Sequence, residues 1–455
     1  MKKTNPTIKI LTTGFLFFCI TSAFSQQTAD PLANQKTKCI LQYLSSLPSL
    51  PNNKVISGQW TNYRGLPNTP QTEFDTAITS VYNQTSKWVG IMGTTYMRQH
   101  TGPYGNWIDD LNSVNKTLIN YSNQNGLVSV MIHWNNPWTG GGTGDMTSSS
   151  NLLDIITSGT PANINFLKDL DSIAVGFSQL QDSNVTVLFR PFHEMNAGWF
   201  WWGSKSTTLP IASDFTSLWQ FTFDYLTTTK NLHNILWYYT PSARESNVSN
   251  LAFKTELFYY PGINYVDIIG LDIYNDTLDI PNYSALIATG KPLGLSEFGP
   301  KKSTVNNLPN VYDYTILINQ IKTKYPAIGH WISWNHFQSG ATNTWIYYSL
   351  STQNNTSNLL NDSWVINRDE IDYSNCLTTS INETDYSSSV NIFPNPTSST
   401  LHFSEELTSG EIYNGIGQLV WVFNTPLNSI SVENFNNGIY FIKSGSTTKK
   451  FIVKH

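Results

Sequence analysis

Cysteine is nearly absent. The 455 residues hold three, Cys19, Cys39 and Cys376, with no C-x-x-C pair and no H-E-x-x-H string, so no zinc or redox motif is present. Charge is scarce as well. Only 13% of residues are charged against 40% hydrophobic, with a net charge of −5, the balance of a globular chain and not of a disordered one. The first 25 residues carry three lysines and no acid, leaving the remainder near −8. Without a basic run, a nucleic-acid partner is excluded. Long apolar stretches are missing apart from Ile10–Ile20, which follows Lys2, Lys3 and Lys9 and precedes Ala23-Phe24-Ser25. That pattern reads as a signal peptide over 1–25. It is too short for a resident span, so the mature chain is expected to have no membrane-crossing segment. Phe17 and Phe18 before Cys19 are not the small residues a lipid anchor needs. No internal repeat is evident.

Aromatic residues, by contrast, are abundant. Of 15 Trp, 14 lie before residue 365. Indoles stack on the flat C–H faces of sugars, although a large barrel also packs Trp in its core. Between residues 50 and 340, short apolar runs alternate with segments of helical character. Eight runs read as strands: Val55–Gln59, Trp88–Gly93, Leu127–His133, Val185–Phe192, Ile235–Thr240, Val266–Ile273, Leu293–Phe298 and Ile328–Trp334. Near-continuous apolar runs suit parallel strands buried on both faces. Ile164–Leu180 and Phe215–Leu232 have helical spacing, with Thr160 or Asn163 and Ser213 or Asp214 as candidate caps. Eight such units predict an α/β fold, a (β/α)8 TIM barrel. A doubly wound sheet is the alternative, but no G-x-G-x-x-G follows the first strand. The catalytic domain is expected over 26–376. Cys39 and Cys376 bracket it, and a disulfide between them would tie its two ends in an oxidising compartment; two free thiols are the other reading. A Ser/Thr/Asn-rich linker over 377–389 leads to a small all-β module over 390–455.

In TIM barrels the chemistry gathers at the C-terminal ends of the strands. Here those ends carry His133-Trp134-Asn135, Arg190 to Asn196, Tyr238-Tyr239, Asp272-Ile273-Tyr274, Ser296-Glu297 and Trp334-Asn335. Two glutamates stand out, Glu194 after the fourth strand and Glu297 at the end of the seventh. One acid to protonate a leaving oxygen and one carboxylate to attack an anomeric carbon are the minimum for retaining glycoside hydrolysis. That chemistry requires no cofactor and no metal.

The string from Arg190 to Gly203, R-P-F-H-E-M-N-A-G-W-F-W-W-G, closely resembles the acid/base motif of glycoside hydrolase family 26 β-mannanases. The resemblance covers roughly residues 38–350. It implies Glu194 as acid/base and, through Leu295 to Gly299, Glu297 as nucleophile. It places Tyr274 on the nucleophile, Trp334 under the sugar at the cleavage point, and His133 in the active site. His193 is read as contacting sugar or, by preference, orienting Glu194, Asp272 as binding sugar or holding the network, and Arg190 as support. Trp199 is expected to face substrate, Trp201 and Trp202 to pack. There are two departures. Ile132 stands where the family commonly has Trp, and Thr94-Thr95-Tyr96 where an Asp-Tyr pair is expected. The module opening N-I-F-P-N-P-T at Asn391 and closing on G-I-Y-F-I-K at Gly438 resembles the type IX secretion sorting domain. Together these imply a secreted or cell-surface, monomeric endo-β-1,4-mannanase, with β-mannan and the type IX machinery as partners. A β-1,3-xylanase, a mixed-linkage β-glucanase and a non-catalytic glycan-binding protein are the alternatives.

Overall fold

The computed structural model of the protein describes residues 26–49, 53–61, 70–96, 107–143, 145–146, 151–301, 309, 311–338, 344–378, 390–415, 417–445 and 447–455. The expected signal peptide and residues 379–389 of the expected linker lie outside them. The chain divides into two compact units, Met1–Tyr373 and Ser374–His455.

The first unit is a closed barrel of eight parallel staves. We label them β1 (Val55–Ile56 and Gly58–Trp60, interrupted at Ser57), β2 (Ile91–Tyr96), β3 (Leu127–Ile132), β4 (Val187–Arg190), β5 (Ile235–Tyr239), β6 (Ile268–Ile273), β7 (Leu293–Phe298) and β8 (Ile328–Ser333). Each pairs with the next, and β8 closes on β1 through Ile56↔His330 and Gln59↔Ser333. The period-2 alternation of a strand sorts the side chains. On β4, Val187 and Phe189 join the layer under the helices, while Leu188 joins the barrel interior. The interior is filled by Ile56, Trp60, Ile91, Met131, Leu236, Tyr238 and Ile332. Ile40, Leu41 and Leu44 of the helix α1 (Gln35–Ser46) pack into the same cluster. Asn34 caps that helix by accepting from Thr37 N at 2.9 Å, and α1 thereby closes the end of the barrel away from the mouth.

Two local expectations are corrected, and one of two candidate caps is borne out. The second strand runs Ile91–Tyr96, three residues beyond the expected Trp88–Gly93. Trp88 instead stacks on Tyr82 at 4.2 Å and under Arg368. Apolar character alone could not separate a strand from the packed turn before it. The helix α2 (Pro161–Asp182) starts after Thr160, which accepts from Asn163 N. The helix α3 (Ala212–Asp224), however, has Ile211 at its N-cap with no side-chain bond, so Ser213 and Asp214 lie inside its first turn. The acidic Asp214 there still suits the helix dipole. Cys39 and Cys376 are both disulfide-bonded.

The second unit is all β. One sheet joins Ile392–Phe393, Thr400–Leu407 and Leu427–Ser431; another joins Leu419–Phe423, Gly410–Asn414, Gly438–Ser444 and Thr447–Val453. Its own core holds Leu401, Phe403, Ile412, Ile430, Ile442, Phe451 and Val453. Among the described residues, no helix is long and apolar enough to cross a membrane.

Candidate active site

Arg190 organises the mouth of the barrel. Its inward position at the end of β4 follows from the alternation above. The side chain is fully buried and donates to Glu297 Oε1 at 2.8 Å, Asp272 Oδ2 at 2.6 Å, Thr240 Oγ1 at 3.1 Å and, more weakly, Met131 Sδ at 3.5 Å. Trp60 lies under the guanidinium at 5.1 Å. A buried cation holding two buried anions offsets charges that would otherwise be costly.

A bulge sets the two anions side by side. The β6–β7 register runs Leu271↔Leu295 and then skips to Asp272↔Glu297. The extra residue, Ser296, donates its hydroxyl to Asp272 Oδ1 at 2.6 Å. Re-aiming a side chain is a common use of a bulge. Burial, with Glu297 and Glu194 nearby, pushes Asp272 up against the pull of Arg190 and the Ser296 hydroxyl. Tyr274, just past β6, donates to Glu297 Oε2 at 2.5 Å. Burial, then the negative Glu297, hold the Tyr274 phenol well above its ordinary value, so it stays a proton donor.

Glu194 sits beyond β4 with φ of +53°, a left-handed conformation that costs a residue with a Cβ and clusters at functional sites. Its N–H donates to Thr240 O at 2.8 Å, and its carbonyl accepts from Ala197 N at 3.0 Å. The next residues form a tight turn. An added Cβ at Gly203 would lie 2.3 Å from Ala197 O. Asn196 stitches this turn to the loop after β5, bonding Ser242 and Lys254. The Glu194 carboxyl is buried and accepts from the Trp199 indole N–H. Burial first, and Glu297 second, push its pKa up to about 8, against Trp199 and Arg190. One carboxylate oxygen from each of Glu194, Asp272 and Glu297 lies within 4.8 Å of the others. All three are engaged by the donors just named.

The remaining expected residues fall around this pair. Trp199 is 46% exposed, while Trp201 and Trp202 are fully buried. Trp202 Nε1 donates to His193 O at 2.8 Å and Trp201 Nε1 to Trp134 O at 3.2 Å. The His193 ring packs edge-on against His133 at 4.8 Å and Phe200 at 4.6 Å. Burial, then His133 and Arg190, hold it well below the usual histidine range and keep it neutral. No bond joins it to Glu194 among the described residues; the orienting donor is Trp199. Trp334 rests on Trp60 at 5.6 Å. Tyr96, in one of the two departures, turns outward to Asn115 and Phe177.

Sequence reasoning missed the floor beneath. Trp60 carries both Arg190 and Trp334 and donates to Ser296 O at 2.9 Å. Below it, Tyr238 bonds His330 Nε2 at 2.5 Å, and burial pulls that imidazole down to about 3. Trp60 closes the first strand, which was the one available signal.

An eight-stave barrel whose mouth holds a buried, protonatable glutamate facing a second, arginine-held glutamate defines a carbohydrate-cleaving hydrolase of the two-carboxylate kind. More narrowly, the chain belongs to glycosyl hydrolase family 26, whose profile matches residues 29–370. The secretion system C-terminal sorting domain matches 391–454. Among curated relatives, a mannan endo-1,4-beta-mannosidase of Bacillus subtilis is 32% identical over 77% of this chain and 90% of its own length. The mannan endo-1,4-beta-mannosidase A and B of Caldalkalibacillus mannanilyticus is 33% identical over 76% of this chain, which spans 63% of that relative. The solved structure of a Bacillus subtilis mannanase is similar with a TM-score of 0.64 and 29% identity, over 76% of this chain and 96% of that one.

Proposed function

We propose that the protein is an exported, retaining endo-β-1,4-mannanase. The observation that carries the mechanism is the spacing of Glu194 and Glu297, whose oxygens approach within 4.8 Å. Retaining glycosidases hold their carboxyls about 5–5.5 Å apart, and inverting ones leave about 6.5–9.5 Å for a water. In this reading Glu194, kept protonated by burial, gives its proton to the glycosidic oxygen. The Glu297 carboxylate, aimed by Arg190 and Tyr274, attacks the anomeric carbon. As the C–O bond breaks, the aglycone leaves with the Glu194 proton. Glu194, now a carboxylate, takes a proton from water, which attacks the same carbon and returns Glu297. The Trp199 N–H occupies Glu194 Oε2 and leaves the other oxygen to carry the proton. His133 and His193 border this space and Trp334 floors it. Mannan is supported by the curated relatives, and export by the sorting domain.

The test is reducing-sugar release by the mature chain on mannan, glucomannan, β-1,3-xylan and mixed-linkage β-glucan, with Glu297→Ala as control. Proton NMR of the first product reads its anomeric form. Release from mannan as the β-anomer, lost in the variant, is expected. An α-anomer overturns retention. Activity on another polymer alone overturns mannan, and binding that the variant does not change overturns catalysis.

A further inference from the structure

We propose that His330 and Tyr238 are positioning residues for the hydrolytic reaction. With Ser296 they form a buried chain of donors that ends on Asp272 and keeps it the anion that shares Arg190 with Glu297. The proposal rests on the two-carboxylate reading and extends it one layer down the barrel. Apolar side chains, Ile56, Ile91, Leu236 and Ile332 among them, fill the interior there. Tyr238 of β5 enters that layer and bonds Nε2 of His330, on β8, at 2.5 Å. Two side chains are missing to make room. Gly270 of β6 stands opposite Gly294 of β7 in the register, and Gly294 stands opposite His330. A Cβ at Gly294 would lie 2.1 Å from His330 Nε2. One at Gly270 would lie 2.6 Å from the Tyr238 hydroxyl and 2.6 Å from the Ser296 hydroxyl. This window between the staves brings the phenol beside Ser296, which donates to Asp272 Oδ1 at 2.6 Å. A pair that only filled space would not require two glycines on neighbouring strands.

The protons set the direction of the chain. His330 is buried and neutral, and its Nδ1 has no partner among the described residues. A neutral imidazole has one donor nitrogen and one acceptor. An orphaned buried N–H is rarer than an unfilled acceptor, so the proton sits on Nε2 and is donated to the Tyr238 oxygen. Burial keeps the proton on the Tyr238 phenol, against the pull of Arg190 and the Ser296 hydroxyl. That proton is then free to point at Ser296 Oγ, whose own proton goes to Asp272. Every donor aims at one carboxylate, and successive bonds of one sense reinforce each other. Asp272 needs that support. Burial, Glu297 of β7 and Glu194 beyond β4 all favour its neutral form, Tyr274 lies just past its own strand, and Arg190 of β4 is the cation that opposes them. If Asp272 took a proton, Arg190 would give its whole charge to Glu297 and blunt the attack of that carboxylate.

Two readouts on the mature full-length protein test this: kcat/KM on β-mannan across pH, and the carbon-13 resonance of the Asp272 carboxyl in aspartate-labelled protein, located with Asp272→Asn. Donors to a carboxylate lower its pKa, so removing them raises it. Ser296→Ala is expected to move the Asp272 titration and the acidic limb of kcat/KM up by about one pH unit. Tyr238→Phe keeps the ring and should move both the same way by about half a unit. The double variant should go no further than Ser296→Ala alone, because one residue acts through the other. His330→Leu should repeat the Tyr238→Phe shift, and His330→Gln, which can still donate, should stay near the parent. This second pair carries the test if Tyr238→Phe does not fold. Activity lost equally at every pH, with the Asp272 titration unmoved, means packing alone and overturns the chain. Shifts that add in the double variant overturn it too. A parent that cleaves no mannan overturns the mannanase reading, while the Asp272 titration still decides the chain.

Discussion

Glu194 carries an energetic conflict that can be measured. Its folded-state pKa is pushed up to about 8, against about 4.3 for a free glutamate. The folded chain therefore holds that proton more tightly than the unfolded one. The sign is that of a raised group: its contribution is fully present below about pH 4.3 and is lost as pH rises through 8. The loss is on the order of 3–5 kcal/mol. Glu194→Gln removes it, so this variant should melt several degrees above the parent at pH 8.5, with the gap closing below pH 4.5. Its kcat should fall by about 10²–10⁴, the usual worth of a general acid. A thermal melt series across pH checks the first outcome; equal gaps at both ends would sink it. Trp199 gives a second handle. Its N–H stabilises the Glu194 carboxylate and lowers the pKa. Trp199→Phe should accordingly move the alkaline limb of kcat/KM to higher pH, because the acid keeps its proton longer. A limb that stays still or moves down would show that the bond does not tune the acid.

At the scale of elements, the staves do more than hold residues apart. The bulge on β7 places Asp272 opposite Glu297 and frees Ser296 to bond Asp272. The layer below depends on a missing side chain. A Cβ at Gly294 would lie 2.1 Å from the His330 ring, and that ring anchors Tyr238. Gly294→Ala must therefore displace the imidazole, at about 1–3 kcal/mol by overpacking. A fall in the urea midpoint with unchanged slope is the expected reading. No fall would mean that the layer has slack the packing does not show. Much of this scale was legible in advance. The apolar runs placed the staves, and only the second was displaced, to Ile91–Tyr96. The bulge was not legible, because L-G-L-S-E-F alternates no differently from an unbroken buried strand.

At the scale of the whole molecule, each of the two units has its own core. The barrel interior and the layer under its helices make up the first, and the C-terminal sheets alone make up the second. Domains with cores of their own can unfold in separate transitions. Calorimetry of the mature chain should show two transitions, and a chain ending at residue 378 should lose the smaller one and keep kcat within about twofold. Loss of activity on that truncation would mean that the sorting domain supports the barrel.

What the sequence determined by itself was largely a matter of identity and period. The string from Arg190 to Gly203 points to the proposed acid, L-S-E-F-G to its proposed partner, and the eight runs name the frame that presents them. What only the tertiary structure decided was pairing. Arg190 reaches Glu297 across 107 positions of sequence and Asp272 across 82, and no local pattern encodes such a distance. The same holds for which of four consecutive aromatics faces out. W-F-W-W reads as uniformly apolar, and the tight turn around Glu194 is what leaves Trp199 half exposed and buries Trp201 and Trp202. The orienting role expected of His193 went to Trp199 for the same reason. Adjacency in sequence put the histidine next to the acid, but the left-handed backbone at Glu194 turned the two side chains apart and brought the indole N–H, five residues on, to the carboxyl.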